Sequence, residues 1–268
     1  MMLGRHVGEA TAALRVLLAV GVTAALLVVN DVGTGAPRGK PLRFVPVASG
    51  IAYAGFEVQP EDSDAFAGHA FNVDLDAADL RLVPAGGPAA ARRPVADIVA
   101  SSPAVVAINA SFFDVDGKAM GLAVDDGRVM ASAKRRTWGA LVINERNARI
   151  VLGADIVDDR ANRLVVQGIP RLVVGGKVQS LKPQIAERTA VCAKGGGVVL
   201  VVTTKVETTP FARFLADPLD QGGLGCQDAL NLDGGPSTQL VVRLPALTLS
   251  VSGGWGVPNA LVVSPGKP

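Results

Sequence analysis

The chain has 268 residues, 49% of them hydrophobic, 19% charged and 4% aromatic, with a formal net charge of +2. That length is ample for a buried core, and the hydrophobic share excludes intrinsic disorder. Glycine and proline together make up about 18% of the residues against a usual share of roughly 12%, which speaks against a helix bundle or coiled coil.

The charge is unevenly placed. Arg5, Arg15, Arg38 and Lys40 precede residue 41 with Glu9 and Asp31, and the remainder carries 22 basic and 22 acidic groups. A nucleic-acid-binding domain shows a basic face or stripe. The balanced body therefore predicts no nucleic-acid partner and no polybasic membrane surface.

At the N-terminus, Arg5, His6 and Arg15 precede fourteen uncharged residues, Val16 to Val29. A basic flank before a short apolar run reads as an export signal, either a cleaved signal peptide or an uncleaved anchor. A buried core helix is the bland alternative. Residues 1–40 are thus expected to engage the membrane or the export machinery, and residues 41–268 to form an exported domain. Two cysteines, Cys192 and Cys226, fall in that domain. In an oxidising compartment they read as one disulfide, with two separate buried thiols as the other possibility.

Short valine-rich runs bounded by Gly, Pro, Asp or Asn follow one another along the body. They predict strands at 42–47, 71–75, 80–83, 105–109, 121–124, 139–143, 150–152, 163–166, 172–174, 189–192, 198–202, 230–232, 240–243, 247–251 and 260–263. Asp126-Gly127, Gly175-Gly176 and the Gly195–Gly197 run read as hairpin turns. Two helices are expected: one opening with Pro94 as its first residue, and one capped by Thr209-Pro210 and ending near Pro218. The fold class is sheet-rich α+β, a mixed β-sheet core with a few short helices in one domain.

Chemistry concentrates in three segments. Asn109-Ala110-Ser111-Phe112-Phe113 leaves a buried strand with an amide, a hydroxyl and two aromatic rings, where Phe112 or Phe113 could form an apolar wall for a sugar. Two core phenylalanines at a strand end are the plainer alternative. Glu187-Arg188-Thr189-Ala190 opens a strand with a guanidinium suited to phosphate, or with a surface ion pair. Asn231-Leu232-Asp233-Gly234-Gly235-Pro236-Ser237-Thr238 brings a carboxylate, two hydroxyls and glycines that allow a ligand close to backbone N–H groups, unless it is a plain tight turn. His69 is the one histidine of the body. A serine hydrolase would need it with Ser237, although the segment is not Gly-x-Ser-x-Gly.

Together with Gly168-Ile169-Pro170-Arg171-Leu172 and the closing Val257-Pro258-Asn259-Ala260-Leu261-Val262-Val263, these segments resemble, in order, the phosphodiester glycosidase family, over roughly Phe71 to Val263. The chain departs from the family pattern at Pro236 and Ala110, where Gly is common, and at Thr203-Thr204-Lys205, where an Asp-Gly pair is frequent. The resemblance implies hydrolysis of a sugar-1-phosphodiester on a glycan or cell-envelope substrate. Asp233 would then act as base or nucleophile, and Arg188 would hold the phosphodiester with the N–H groups near Gly234 and Gly235. Asn109 and Ser237 would orient sugar or phosphate, with Ser111, Thr189 and Thr238 lining the pocket.

Glu187 is the nearest further carboxylate, but its neighbour in a strand points to the opposite face, so it and Arg188 are not expected on one wall. No cofactor is expected. Phosphodiester chemistry often recruits a divalent metal, which stays open here: Asp114-Val115-Asp116-Gly117 supplies only half of a calcium loop. A non-catalytic module binding envelope glycan or anionic polymer is the alternative function.

Overall fold

The computed structural model describes residues 40–86, 92–157 and 161–266, which belong to one unit, Pro37–Pro268. The apolar N-terminal run and its export reading lie outside the described residues. Among those described, no helix is long and apolar enough to cross a membrane.

The described residues form eighteen strands, in chain order. The first nine are β1 (Val45–Ala48), β2 (Ile51–Val58), β3 (Phe66–Val73), β4 (Ala78–Pro84), β5 (Val106–Asn109), β6 (Leu122–Asp125), β7 (Arg128–Ser132), β8 (Gly139–Asn144) and β9 (Asn147–Leu152). Then come β10 (Leu164–Gly168), β11 (Arg171–Val174), β12 (Lys177–Val178), β13 (Ile185–Lys194), β14 (Gly197–Glu207), β15 (Asp228–Asn231), β16 (Leu240–Leu244), β17 (Leu247–Val251) and β18 (Asn259–Pro265). Two α-helices accompany them, α1 (Val95–Ile98) and α2 (Thr208–Ala216).

The strands form three sheets: β1-β2-β3-β14-β13-β15-β11-β12, β7-β6-β10-β8-β9 and β17-β16-β5-β18-β4. Apolar side chains from all three meet in one core, among them Phe71, Leu80, Ile108, Leu141, Leu164, Leu200 and Leu261. The outer face of the eight-stranded sheet is covered by α2, whose Phe211, Phe214 and Leu215 pack on Ala190, Cys192 and Val201. α1 covers the outer face of the sheet holding β5 through Val95 and Val99. Residues of alternating parity along β13 therefore serve different layers: Val191 and Ala193 face the central core, and Ala190 and Cys192 face α2.

The sheet-rich, helix-poor class is observed, with corrections in detail. Every pairing between named strands is antiparallel, so the sheets are not mixed in direction. β2 was not expected: Ala52, Ala54 and Gly55 dilute its apolar signal, and pairing with β3 from Ile51↔Val73 to Val58↔Phe66 supplies its order. β13 and β14 run well beyond 189–192 and 198–202, because a long hairpin continues through the polar residues that hid the strand ends. Pro94 is the N-cap of α1 and not its first residue. α2 starts at Thr208 with Glu207 as its cap, so Thr209 is not the cap. Thr208 is instead fastened at this end, its N–H and hydroxyl both donating to the Gln184 carbonyl (each 3.1 Å). The helix ends at Ala216, two residues before Pro218, as expected.

The hairpins form at the expected turns. Asp126 (φ 51°) and Gly127 (φ 70°) occupy the left-handed region that a two-residue hairpin turn requires. Cys192 and Cys226 are joined, with Cα atoms 5.7 Å apart, tying β13 to the segment leading into β15.

Candidate active site

Four of the singled-out segments converge where β5, β15 and β18 meet the start of β13. Asn109 is the last residue of β5 and pairs with Ala260 of β18. The chain leaving β15 crosses to it: Asp233 donates its N–H to the Ala110 carbonyl (3.2 Å), and Asn109 Nδ2 donates to the Asp233 carbonyl (2.7 Å). Asn109 Oδ1 accepts from the Thr189 hydroxyl (2.7 Å) and the Gln239 N–H (3.0 Å). One fully buried amide (0% exposed) thus fixes three segments distant in sequence. Satisfying buried polar atoms this completely makes the arrangement rigid.

The Gly168-Ile169-Pro170 segment joins the same frame. Its Ile169–Pro170 bond is cis, and Asn231 Nδ2 donates to the Ile169 carbonyl (2.9 Å) and the Leu232 carbonyl (2.7 Å). Ser111 is held on the other side of Asn109: its N–H donates to Asn259 Oδ1 and its hydroxyl accepts from Asn259 Nδ2, each at 3.0 Å. Asn109, Ser111 and Thr189 are therefore bonded to protein partners and closed off from solvent. Their place is in the frame behind the turn.

Asp233 is the titratable group this frame presents. Burial pushes its carboxyl up to about 6, against hydrogen bonds from the Ser237 side chain and the Gly234 N–H (3.0 Å) that favour the ionised form. The turn after it needs both glycines. A side chain at Gly234 would place its Cβ 2.8 Å from the Glu187 carbonyl oxygen, and Gly235 sits at φ 58° facing open space. Gly235–Ser237 form a single 3₁₀ turn, closed by the Ser237 and Thr238 N–H groups donating to the Gly234 and Gly235 carbonyls.

Arg188 is 3% exposed and meets no carboxylate within 4.0 Å among the described residues, so it is not a surface ion pair. Its Nη2 donates to the Gln184 carbonyl and to Thr208 Oγ1 (2.8 Å), while its buried Nε has no partner. Burial lowers the guanidinium's pKa. The Arg188 Cα lies 3.9 Å from where a Cβ on Gly234 would sit. A buried cation with no counter-ion and an unsatisfied donor is a costly arrangement that an anionic ligand would relieve.

The neighbouring Glu187 takes another direction. It lines a groove of about 570 Å³ beside the turn, with Lys205, Gly235, Pro236, Thr238 and Val251. Through Glu187, Lys205 and Val251 this groove adjoins a larger one of about 910 Å³ that reaches His69. His69 shares a hydrogen bond with the Tyr53 hydroxyl through Nδ1 (2.9 Å), and burial lowers its pKa. Ser237 is bonded to Asp233, and no Ser237–His69 bond is present among the described residues.

No cluster of three or more metal-ligating side chains occurs among the described residues. Asp114 instead closes a turn, its Oδ1 accepting from the Lys118 N–H (2.9 Å).

Phe112 and Phe113 diverge. Phe112 meets Trp138 edge-on at 5.6 Å between ring centroids, and Phe113 meets Trp255 at 6.3 Å. The two tryptophans and Gln239 border the candidate site without being singled out by the sequence, whereas Asn259 and Lys205 lie inside segments that it singles out. Gln239 was within reach, since it lies directly after a quoted motif. The tryptophans carried no local signal, because only the fold brings them to the Phe-Phe pair.

The fold resembles solved structures of low sequence identity. The zebrafish N-acetylglucosamine-1-phosphodiester alpha-N-acetylglucosaminidase catalytic domain, auto-inhibited by its pro-peptide, matches with a TM-score of 0.64 at 17% identity, over 84% of this chain and 88% of that one. A hypothetical protein from Synechocystis matches with a TM-score of 0.59 at 17% identity, over 84% of this chain and 64% of that one. A Burkholderia pseudomallei protein described as a candidate exported protein matches with a TM-score of 0.52 at 14% identity, over 75% and 74% of the two chains. A search of curated proteins finds no match. The phosphodiester glycosidase family profile, however, matches residues 102–264, more than half the chain, from before β5 to the penultimate residue of β18. With the Asn109 frame and the Asp233 turn inside that span, the chain belongs to the phosphodiester glycosidase family.

Proposed function

We propose that this protein is an exported hydrolase that cleaves the glycosidic C–O bond of a sugar-1-phosphodiester in a glycan or cell-envelope substrate. The observation that carries this reading is the Asp233-Gly234-Gly235 turn, whose carboxyl burial pushes up to about 6, packed against the backbone of β13 at Arg188, a buried guanidinium with no carboxylate within 4.0 Å among the described residues. A phosphodiester monoanion would supply the charge that Arg188 lacks. Family membership supports hydrolase chemistry. The Cys192–Cys226 bridge supports an oxidising compartment, reached through the export segment at residues 1–40.

In this mechanism ionised Asp233 removes a proton from water as its oxygen bonds to the sugar C1. The C1–O bond breaks, its electron pair leaves on the phosphomonoester, and the proton passes from Asp233 to solvent. A phosphate leaving group needs little protonation, so a second carboxylate is dispensable, unlike in ordinary glycosidases. Asn109 and Thr189 act as positioning residues through the Asp233 backbone. Ser237 and Gly234 hold the carboxylate toward its ionised form. Phe113, whose ring meets Trp255 beside the turn, supplies the apolar wall for the sugar, and Gly235 and Thr238 line the groove at the turn.

The test is release of free sugar from a panel of synthetic sugar-1-phosphodiesters by purified protein. Turnover that drops by at least about 100-fold in Asp233→Asn is expected, on the scale of losing a general base. No turnover across the panel, with ligand binding retained, would leave a binding module. Labelling by a fluorophosphonate, lost in Ser237→Ala, would point to a serine hydrolase.

A further inference from the structure

The chain has two tryptophans, and both stand beside the Phe112–Phe113 pair, each with an arginine over an aromatic ring. The Arg92 guanidinium lies 4.9 Å from the Phe113 centroid, whose ring meets Trp255. The Arg135 guanidinium lies 5.9 Å from the Trp138 centroid, whose ring meets Phe112. Trp255 is 56% exposed, a large apolar surface left open to water. Its backbone is held: the main-chain N–H donates to the Pro236 carbonyl (3.1 Å), and the main-chain carbonyl accepts from Gln239 Nε2 (2.8 Å). An exposed indole on a backbone fastened to the turn that carries Asp233, with its ring against Phe113, is a stacking surface that needs little backbone ordering on binding.

The charge beside these rings is one-sided. Arg92 and Arg135 are exposed, as are their neighbours Arg93 and Arg136, and none has a carboxylate within 4.0 Å among the described residues. Elsewhere on the surface Arg146, Arg163 and Arg213 are paired with aspartates, while Arg128 and Arg149 are also exposed with no carboxylate within 4.0 Å among the described residues. A shallow cavity of about 620 Å³ opens between Arg92 and Trp255, floored by Gly254 and Gly256. On each side of this short segment a guanidinium suited to phosphate stands over one ring of an aromatic pair, with Trp255 exposed and Trp138 half-buried.

We propose that the Arg92–Trp255 and Arg135–Trp138 clusters are subsites for further repeats of an extended substrate, so that this protein acts on a polymer of phosphodiester-linked sugars and not on a single glycosyl phosphodiester. This rests on the proposed reaction for the identity of the repeat. The rings stack on sugars, the arginines hold the intervening phosphates, and linkage through one chain makes the second contact effectively intramolecular.

The test is calorimetric titration of the full chain carrying Asp233→Asn, which holds ligand without turnover. The probes are a synthetic hexose-1-phosphate tetramer, the matching monomeric phosphodiester and a neutral tetrasaccharide. The tetramer is expected to bind about 30-fold or more tighter than the monomer, and tighter than the neutral chain, by effective concentration and charge. Trp255→Ala and Arg92→Gln, both at exposed positions, should each remove about 10-fold of that gain, with Trp255→Phe retaining most of it. Equal binding of tetramer and monomer, or a gain unchanged in both variants, overturns the subsites. Turnover of the monomer by the wild type is scored separately. Turnover without a tetramer gain refutes only the subsites; a Trp255-dependent gain without turnover refutes only the reaction.

Discussion

Asp233→Asn should make the protein more stable at neutral pH while abolishing turnover. Burial raises the Asp233 carboxyl from its ordinary 3.8 to about 6, so the folded state holds its proton at pH values where the unfolded chain has released it. Stability from this group is fully present below pH 3.8 and is lost as pH rises through 6. A displacement of that size corresponds to about 3 kcal/mol, reduced to roughly 1–2 kcal/mol because the carboxyl is partly open to solvent. Asparagine is neutral throughout and keeps an oxygen for the Gly234 N–H. Its advantage over the wild type should therefore be near zero at pH 4 and reach about 1–2 kcal/mol by pH 7. Urea unfolding of both proteins at pH 4, 5, 6 and 7 reads this directly. A difference that does not change with pH, or one that favours the wild type increasingly as pH rises, would refute the assignment of Asp233 as a carboxyl that burial makes harder to ionise.

Three further outcomes are expected. Inorganic phosphate should raise the melting temperature of the wild type but not of Arg188→Met, and the variant's own unfolding free energy should stay within about 1 kcal/mol of wild type, because an unpaired buried charge is lost along with its bonds to Gln184 and Thr208; phosphate protection that persists in the variant contradicts this. Gly234→Ala should lose roughly 1–3 kcal/mol by denaturant unfolding and most activity, since its Cβ would meet the Glu187 carbonyl at 2.8 Å; unchanged stability and rate would show that the contact relaxes freely. Replacing both Cys192 and Cys226 by serine should destabilise by up to about 4 kcal/mol for a closed loop of this length, and thiol titration of the native protein should find no free thiol.

The parts of this fold legible in the sequence are those written in local patterns. Asp126-Gly127 specifies its turn because both positions need positive φ, and most strands announce themselves as runs of valine, isoleucine and leucine. β2 escaped because its small residues are ordered by β3 and not by their own preferences. Thr209 misled as a cap because Thr208, one residue earlier, is claimed by Arg188 of β13 and by Gln184, the residue just before that strand. The site shows the same division. Asn109, Asp233 and the glycines stand out as residue types, but the direction of Arg188, toward Thr208 at the start of α2, depends on which layer of the sheet its parity serves. Likewise, nothing near Trp138 or Trp255 in sequence foretells their meeting with Phe112 and Phe113; long-range closure of the sheets decides it.

The central claim is hydrolysis at the sugar C1 by the Asp233 site, and one product analysis addresses it. Purified protein is incubated with a synthetic sugar-1-phosphodiester in ¹⁸O-labelled water, beside the Asp233→Asn variant, and both products are weighed by mass spectrometry. Free sugar carrying the label, an unlabelled phosphomonoester and no release by the variant are the expected result. Label in the phosphomonoester, or release undiminished in Asp233→Asn, would contradict the account.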